Sequence, residues 1–420
     1  MQDADVAIVG AGAAGLSLAH ALTSPPGAGR VPSLVVVEPS SSGLRPPPRT
    51  WCFWESGSGP YERAVAASWR WLRVHDRHGR AVVRDISPLR YKMIRSSDFE
   101  ALVGAHLGGL PEVRRADGTV ERVRAVAGGA EALLTTAGGT RRTVRARWLF
   151  DSRPRPRPPA ARTLLLQHFQ GWFVRTRRPV FDPRVADWMD FRVPQPRHGM
   201  AFGYVLPTGR HEALVEYTQF SARALTPDAY RAALLDYTGR VLRLGEFDVT
   251  DTETGAIPMT DGRFARSSGP AVFRIGTAGG ATRPATGYTF ATVQRQSRAI
   301  ARAYRAGHDP VPPRPHRSRS AAMDAVLLHG LDSGVIDGAD FFPRLFREVP
   351  AVRLLRFLDG ATRLHEDLAI GLHTPVLRML RSAAALPALP RRHFVDPPAP
   401  PPPPPPAGAL PGGPGIRGET

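Results

Sequence analysis

The chain is poor in cysteine and lysine and has no long apolar run. Cys52 is the single cysteine among 420 residues, so no intrachain disulfide can form. No stretch reaches the roughly 18 consecutive apolar residues that indicate a membrane-spanning helix. The opening segment MQDADVAIVGAG has no basic region and runs directly into a predicted strand. We therefore expect no signal peptide and a cytoplasmic location, with membrane contact limited to the surface.

Acidic residues are outnumbered by basic ones. The 56 Lys+Arg and 37 Asp+Glu residues give a formal net charge of +19, a balance found in proteins that bind nucleic acid or anionic membranes. Lys92 is the only lysine, and arginine is abundant together with alanine, glycine and proline, as in proteins encoded by GC-rich genomes. No motif that interleaves aromatic and basic residues accompanies the charge. We therefore expect no nucleic-acid partner.

A nucleotide-binding motif opens the chain. Residues 5–9 are predicted to form a strand, three glycines spaced as G-x-G-x-x-G follow, a helix begins, and SLVVVE (33–38) predicts a second strand. The glycines permit a tight turn, close approach of a pyrophosphate and close helix–strand packing, while the helix N-terminus favours phosphate. A terminal glutamate would bind the ribose hydroxyls. The predicted cofactor-binding residues of this unit are Gly10, Ala11, Gly12, Ala13, Ala14, Gly15 and Glu38.

A second glycine-rich segment, IGTAGGATRPATGYTFATV (275–293), favours FAD over NAD. It is similar to the late segment that, in flavoproteins resembling p-hydroxybenzoate hydroxylase, returns to the first domain and points a helix N-terminus at the flavin ring. Such a dipole would stabilise an anionic reduced flavin. Thr277 stands where that family usually has Asp. The predicted cofactor-binding residues here are Gly276, Gly279, Gly280 and Gly287, together with Arg49, which precedes Trp51 in a loop that either covers the flavin or packs.

Nine segments, in order over roughly residues 1–375, resemble the flavoprotein lycopene cyclases of carotenoid biosynthesis, and most resemble the bacterial β-cyclase branch. They are RTWCFW (49–54), FDSRP (150–154), LLQHFQGWFV (165–174), MDFR (189–192), FGYVLP (202–207), LVEYTQFS (214–221), GAIPM (255–259), GTAGGATRPATGYTF (276–290) and RFLDGATRLHEDLAIGLHTP (356–375). The resemblance implies redox-neutral closure of β-ionone rings on lycopene, or on a related linear or monocyclic carotene, by an enzyme that needs reduced FAD. NAD(P)H is then the expected reductant, and the membrane surface and other carotenoid-pathway enzymes are expected partners.

Glu216 interrupts an otherwise apolar strand pattern in HEALVEYTQF (211–220). The resemblance places the family's essential acid at this residue, whereas the second acid that many relatives carry next is replaced by Tyr217. Strand alternation puts Leu214, Glu216 and Thr218 on one face. A carboxyl group in an apolar cavity has a raised pKa and can move protons. The alternative is an edge-strand glutamate that faces water; whether Glu216 donates the first proton, removes the last or holds the cation stays open.

The pattern predicts an α/β fold: an FAD-binding, Rossmann-like (p-hydroxybenzoate hydroxylase-like) domain, an antiparallel-sheet substrate domain and a C-terminal helical region. The predicted divisions are 1–160 (first part of the FAD-binding domain), 161–265 (antiparallel-sheet substrate domain), 266–310 (returning FAD-binding segment), 311–395 (helical, substrate- or membrane-facing) and 396–420 (disordered Pro-rich tail). No metal site is expected, because adjacent residues such as His365 and Glu366 do not face one another on a helix.

Other functions share these features. An FAD-dependent monooxygenase or a prenyl-chain reductase would have the same fold and glycine loops, and a non-catalytic carotenoid- or flavin-binding membrane protein would share the charge. The segment VLRMLRSAAALPALPRR (376–392) mixes apolar and arginine residues, as expected for a helix that lies in a membrane interface or for an ordinary surface helix. Asp190 and Arg192 share strand parity and are predicted to form a salt bridge that fixes the sheet; the alternative is a role in chemistry at the substrate end.

Overall fold

The computed structural model describes residues 3–24, 31–39, 45, 47–155 and 157–393. The predicted Pro-rich tail, 396–420, lies outside the described residues. Within them the chain forms three β-sheets and nine α-helices. No helix among these residues combines the length and the apolar character needed to cross a bilayer.

The strands are β1 (Ala4–Val9), β2 (Leu34–Glu38), β3 (Thr50–Ser56), β4 (Val65–Trp69), β5 (Trp71–His75), β6 (Ala81–Asp85), β7 (Leu89–Arg95), β8 (Val113–Asp117), β9 (Thr119–Val126), β10 (Gly129–Thr135), β11 (Arg141–Asp151), β12 (Leu164–Thr176), β13 (Val185–Asp190), β14 (Met200–Pro207), β15 (Glu212–Ser221), β16 (Phe247–Thr260), β17 (Ser267–Gly269) and β18 (Val272–Arg274). The helices are α1 (Ala13–Thr23), α2 (Ser96–Gly108), α3 (Pro227–Asp236), α4 (Phe290–Arg305), α5 (Ser318–Asp332), α6 (Gly338–Glu348), α7 (Ala351–Leu358), α8 (Leu364–Gly371) and α9 (Val376–Ala385).

The first sheet has a parallel centre in the order β8–β2–β1–β11–β18. β1 and β2 are almost wholly buried, which explains their continuous apolar runs, because a parallel strand is covered on both faces. β18 belongs to the predicted returning segment and extends this sheet beside β11. The β9–β10 hairpin pairs with the first half of β11. Four strands, β8 to β11, begin within residues 113–149, and only Gly118 separates β8 from β9.

The second sheet has the order β16–β12–β15–β14–β13–β5–β6. Its neighbours pair antiparallel except β13 and β5, which are parallel. β5 and β6 come from residues 71–85, within the part predicted as FAD-binding, so the chain visits the second sheet before it completes the first. The predicted domain boundaries themselves stay predictions.

Different helices cover the two faces of the second sheet. α3 and the helical turn after it pack on one face, where Val215 and Tyr217 of β15 contact Tyr230 and Leu234. Helices α5, α6 and α7 pack on the other face against Leu206, Phe202 and Phe220 among others. The C-terminal helices therefore close over the face of β15 that carries Leu214 and Glu216. The third sheet, β3–β7–β4, adds Trp54, Trp69 and Tyr91 to the same core.

Candidate active site

One cavity of about 880 Å³ extends from the glycine-rich turn after β1 to the covered face of the second sheet. At one end its wall is the start of α1 and the segment before α4. At the other end its wall is β12, β14, β15 and β16, with α6 and α7 opposite. Its volume lies in the upper part of the range of about 300–1,000 Å³ that is usual for small-molecule sites. The predicted nucleotide loop and Glu216 thus line the same space.

The first glycine motif has the geometry of a phosphate-binding turn. Gly10 has a positive φ of 92°, and a side chain at Gly15 would place its Cβ 1.8 Å from the carbonyl oxygen of Gly10. A Cβ at Gly12 would meet no atom within 4 Å, and Gly12 lines the cavity. The N-cap residue of α1 is Gly12, which has no side chain to cap the helix, so the first backbone N–H groups can bind an anion. Gly10 thus forms the tight turn, Gly12 leaves free space beside the backbone, and Gly15 allows the helix to pack closely.

The remaining residues predicted for the first unit lie around this turn. Ala11, Ala13, Ala14 and Glu38 line the cavity. Glu38 ends β2, where its carboxylate lies 3.3 Å from Nη2 of Arg45 and 3.7 Å from Nη1 of Arg115. A ribose bound at this carboxylate would therefore also lie beside two guanidinium groups.

The glycines of the returning segment have two different roles in the structure. Gly276 and Gly287 have positive φ values of 63° and 71° and line the cavity. Gly279 and Gly280 are absent from its wall: a Cβ at Gly279 would lie 2.4 Å from the carbonyl oxygen of Arg274, and one at Gly280 would lie 2.9 Å from Phe264. Close packing thus accounts for the last two glycines, and a cofactor contact at either of them stays a prediction.

Two polar side chains of the cavity wall lack partners within the described chain. Oε1 of Gln167 and Oγ1 of Thr286 are buried and make no hydrogen bond. The Gln167 oxygen lies 2.0 Å from the place that a Cβ on Gly287 would occupy. Buried polar groups normally find a partner. Together with the open space at Gly12, these atoms fit a polar, phosphate-bearing ligand such as FAD, which residues of both glycine segments would hold.

Arg49 and Trp51 lie at the start of β3. Both line the cavity, and the Trp51 ring stacks on Phe290, the first residue of α4, with ring centroids 5.8 Å apart. Burial lowers the pKa of Arg49, an effect that the charge of Glu253 partly offsets. Arg49 thus brings a partly desolvated positive charge to the cavity.

Glu216 lies inside the sheet and not at its edge. β15 runs between β12 and β14, where Glu216 pairs with Gly171 on one side and with Tyr204 on the other. Its exposed fraction is 8%. Leu214, Glu216 and Thr218 line the cavity, whereas Tyr217 packs under α3. The predicted alternation is confirmed, and the solvated-edge alternative is wrong.

The surroundings of Glu216 favour its protonated form. Burial raises the pKa of this carboxyl group from the usual 4.5 to about 8, and the nearby charge of Glu253 adds to the increase. The hydroxyl group of Thr218 donates a hydrogen bond to Oε1 of Glu216 and acts in the opposite direction. Near neutral pH the group therefore holds a proton inside an apolar cavity, as a general acid requires.

A second carboxylate, Glu253, lines the same cavity. It lies on β16, is 8% exposed, and its Oε2 accepts a 2.7 Å hydrogen bond from the hydroxyl group of Thr50. Burial raises the pKa of Glu253, while Thr50 and the positive charge of Arg95 act to lower it. The sequence did not reveal this residue, because its neighbours in FDVTDTETG are polar and predict an exposed strand.

The rest of the wall near Glu216 is aromatic and apolar. Phe169, Phe202 and Tyr204, three aromatic residues of the second sheet, line the cavity. The hydroxyl groups of Tyr91 and Tyr204 are hydrogen-bonded, and Tyr288 links this pair to Nε1 of Trp188. Burial raises the pKa of the Cys52 thiol to about 12, so the side chain stays neutral. The opposite wall consists of apolar side chains from α6 and α7, namely Phe342, Leu345, Phe346, Leu354 and Leu358.

Asp190 and Arg192 form an ion pair away from the cavity. Arg192 donates to Asp190 with a 2.6 Å separation between Nη2 and Oδ2, and the hydroxyl group of Tyr237 donates to the same carboxylate. The predicted salt bridge is therefore present, outside the cavity wall. Among the described residues, no group of three or more histidine, cysteine, aspartate or glutamate side chains is placed to hold a metal ion.

Comparison with solved structures shows the fold. A geranylgeranyl bacteriochlorophyll reductase-like protein from Thermoplasma acidophilum is similar with a TM-score of 0.61 and 13% identity, over 92% of this chain and 100% of that one. A flavoprotein/dehydrogenase from Cytophaga hutchinsonii gives a TM-score of 0.58 and 12% identity, over 91% and 99% of the two chains. A flavin-dependent brominase gives 0.57 and 14%, over 90% and 99%. The predicted α/β flavoprotein fold with a helical C-terminal region is thus confirmed.

Comparison of the sequence itself shows the family. No curated protein matches the chain. The family model described as lycopene cyclase protein matches residues 5–384, which include both glycine segments, Glu216 and the helices that cover the cavity. The chain therefore belongs to the lycopene cyclase family.

Proposed function

We propose that this protein is a lycopene β-cyclase that closes the linear ends of lycopene, or of a related linear or monocyclic carotene, into β-ionone rings without net redox change. The observation that supports it most is the buried Glu216, whose pKa of about 8 keeps a proton available in a largely apolar cavity that is continuous with the nucleotide loop. Family membership supports the substrate class.

The reaction needs an acid, protection from water and stabilisation of positive charge. Glu216 donates its proton to the terminal alkene, which leaves a tertiary carbocation that the neighbouring double bond attacks. The resulting Glu216 carboxylate then lies beside the cation and stabilises it electrostatically. Phe169, Phe202 and Tyr204 present further stabilising groups, since aromatic faces attract cations. The apolar side chains of α6 and α7 keep water from capturing the cation.

The proposed cofactor is FAD, with NAD(P)H as its reductant. The turn from Gly10 to Gly15 would hold the pyrophosphate, Glu38 the ribose, and Gly276 and Gly287 would allow the flavin end to approach the backbone. Gln167 and Thr286 would supply hydrogen bonds, because their oxygen atoms lack partners among the residues that the structure describes. A reduced flavin held by these residues would supply negative charge to the cavity.

We also propose that helices α8 and α9 dock on the membrane that stores the substrate. Apolar side chains are exposed along both helices and the turn that joins them, with exposed fractions of 77% for Leu372 and 83% for Leu377. The full apolar set is Leu364, Leu368, Leu372, Val376, Leu377 and Leu380. Arg363, Arg378 and Arg381 are exposed on the same segment. Such a mixture of leucine and arginine suits an interface with anionic lipid.

The docking proposal also gives the substrate a route. α8 contacts α7, and α7 supplies Leu354 and Leu358 to the cavity wall. A carotene that leaves the lipid beneath α8 and α9 would therefore reach the cavity across a single helix layer. Carotenoid-pathway enzymes at the same membrane remain proposed partners.

The test of the proposed function is expression of the full chain in cells that accumulate lycopene, followed by chromatography and mass spectrometry of the pigments. A cyclase gives products of unchanged mass with one or two β-rings. A hydroxylated or reduced product would instead support a monooxygenase or a prenyl-chain reductase. Stoichiometric pigment binding without turnover would support a non-catalytic carrier.

A further inference from the structure

We infer that Glu253 is the base that removes the last proton from the newly closed ring, and that it forms a donor–acceptor pair with Glu216 across Gly171. The inference rests on the proposed cyclisation and adds to it a residue and a role. Tyr217, at the position where many relatives carry a second acid, faces α3. The second acid of this cavity comes instead from another strand.

The pair is built by strand register. Gly171 of β12 lies opposite Glu216 of β15 on one side and opposite Glu253 of β16 on the other. Residues directly opposite one another on neighbouring strands point to the same face of a sheet. Neighbouring strands are about 4.8 Å apart, so the two glutamate backbones are separated by two such spacings. Both side chains then extend into the same cavity.

Gly171 leaves the gap between the two side chains open. A Cβ at this position would lie 3.6 Å from Cβ of Glu216 and 3.3 Å from Cγ of Glu253. Any larger residue would thus insert carbon atoms between the carboxyl groups. Because glycine weakens a strand interior, its presence at the centre of a long strand fits a role in keeping this space free.

The two carboxyl groups have different polar partners. Glu253 accepts a hydrogen bond from Thr50 and is influenced by the charge of Arg95, which also pairs with Asp251. Within the described part of the chain, Glu216 accepts a hydrogen bond only from the hydroxyl group of Thr218. Two close buried carboxyl groups do not readily ionise together. The proton therefore resides on Glu216, and the negative charge on Glu253, where cationic and hydroxyl groups support it.

This division matches the two proton transfers of the reaction. The O–H bond of Glu216 breaks as a C–H bond forms at the terminal alkene, and a C–C bond then closes the ring. A C–H bond on the ring breaks, its electron pair completes the ring double bond, and the proton moves to the Glu253 carboxylate. Product and substrate are isomers and no electron is exchanged. Return of the proton from Glu253 to Glu216 restores the starting state.

The test compares Glu253→Gln with Glu253→Asp and with the control Asp248→Asn, an exposed carboxylate on the same strand. We expect Glu253→Gln to retain FAD, as judged by its absorption spectrum, and to form β-rings at least about 100-fold more slowly. Ring products with the double bond elsewhere should increase, because another base or water then removes the proton. Glu253→Asp should recover part of the rate, and Asp248→Asn should match the wild type.

Infrared titration of the protonated carboxyl group provides a readout that does not depend on turnover. Loss of the Glu253 charge should lower the pH at which Glu216 ionises, and Glu216→Gln should remove that band. Normal β-ring formation by Glu253→Gln would overturn the inference and leave the proposed function intact. Loss of FAD from Glu253→Gln, or equal inactivity of the Gln and Asp variants, would also overturn it in favour of a structural role. If the wild type forms no rings, the proposed function itself is wrong.

Discussion

Glu216 and Glu253 lie on different strands and face each other across Gly171, the residue of β12 that pairs with both of them. The two carboxyl groups come from positions 37 residues apart in the sequence, yet they line one cavity. Their separation depends on a residue without a side chain. The chemistry of the site therefore depends on the register of three adjacent strands.

Substitution of that glycine should change activity more than folding. In Gly171→Ala the new methyl group would lie 2.8 Å from Cδ1 of Leu214 and 3.3 Å from Cγ of Glu253, so both side chains must shift. The Leu214 contact is with the end of a flexible side chain, and we expect a loss of about 1–3 kcal/mol in unfolding free energy. Ring formation should fall about 10- to 100-fold, since small displacements of reacting groups are costly. Gly138→Ala, where a Cβ meets no atom within 4 Å, is the control; equal cyclisation rates in the two variants would contradict the account.

The stability of the protein should depend on pH through Glu216. Its pKa is raised from 4.5 to about 8 in the folded state, so the folded protein binds a proton that the unfolded chain releases. The contribution of Glu216 to stability is therefore complete below about pH 4.5, falls as pH rises towards 8, and then levels off. Glu216→Gln lacks this loss. Urea unfolding should show equal stability of wild type and variant near pH 4.5 and a more stable variant at pH 9; a constant difference would refute the buried, protonated state.

A substitution in the glycine turn should weaken cofactor binding without affecting folding. Gly12 has φ of −79° and free space at its Cβ position, so Gly12→Ala should fold with unchanged thermal stability when no FAD is present. The methyl group occupies the place where a pyrophosphate would approach the backbone. We expect at least about tenfold weaker FAD affinity by flavin fluorescence titration, again with Gly138→Ala as control. Unchanged affinity would place the phosphate elsewhere.

If α8 and α9 dock on the membrane, an acidic residue should weaken vesicle binding when it is placed on these helices but not when it is placed elsewhere. In the double variant Leu372→Asp, Leu377→Asp, two exposed leucines lose the roughly 1.5–3 kcal/mol that each gains on leaving water, so binding to anionic vesicles should weaken by more than tenfold in flotation assays. Leu235→Asp alters a leucine that is also exposed, at 51%, but lies on α3, and should bind normally. Equal flotation of both variants would place the docking surface elsewhere.

Much of this arrangement could be predicted from the sequence, because it depends on local patterns. The glycine spacing of residues 10–15 predicts the turn that forms, and the alternation in 214–218 predicts which side chains of β15 share a face. The position of Gly171 between two glutamates could not be predicted, since it depends on which strands become neighbours. The burial of Glu253 could not be predicted for the same reason. Its polar neighbours in the sequence indicate an exposed strand, and Glu253 is buried only because β16 pairs with β12 and the C-terminal helices cover this face of the sheet.

Local patterns did not indicate every structural feature. Within the segment 275–293, helix α4 begins only at Phe290, because the backbone at Gly287 has a positive φ of 71° and a helix cannot continue through it. Gly279 and Gly280 look like cofactor contacts in the sequence, yet their nearest neighbours are Arg274 and Phe264. β5 and β6 join the second sheet, a connection that no feature of residues 71–85 indicates.

The most direct test of the central claim is the pigment formed by Glu216→Gln in lycopene-accumulating cells, compared with the wild type and with Glu212→Gln. Glu212 lies on the same strand but is exposed and pairs with Arg175, so its variant should form β-rings normally. The account predicts that Glu216→Gln folds, retains FAD and leaves lycopene uncyclised, a loss of at least about 100-fold in ring formation. Normal bicyclic product from Glu216→Gln would contradict the assignment of this buried carboxyl group as the acid.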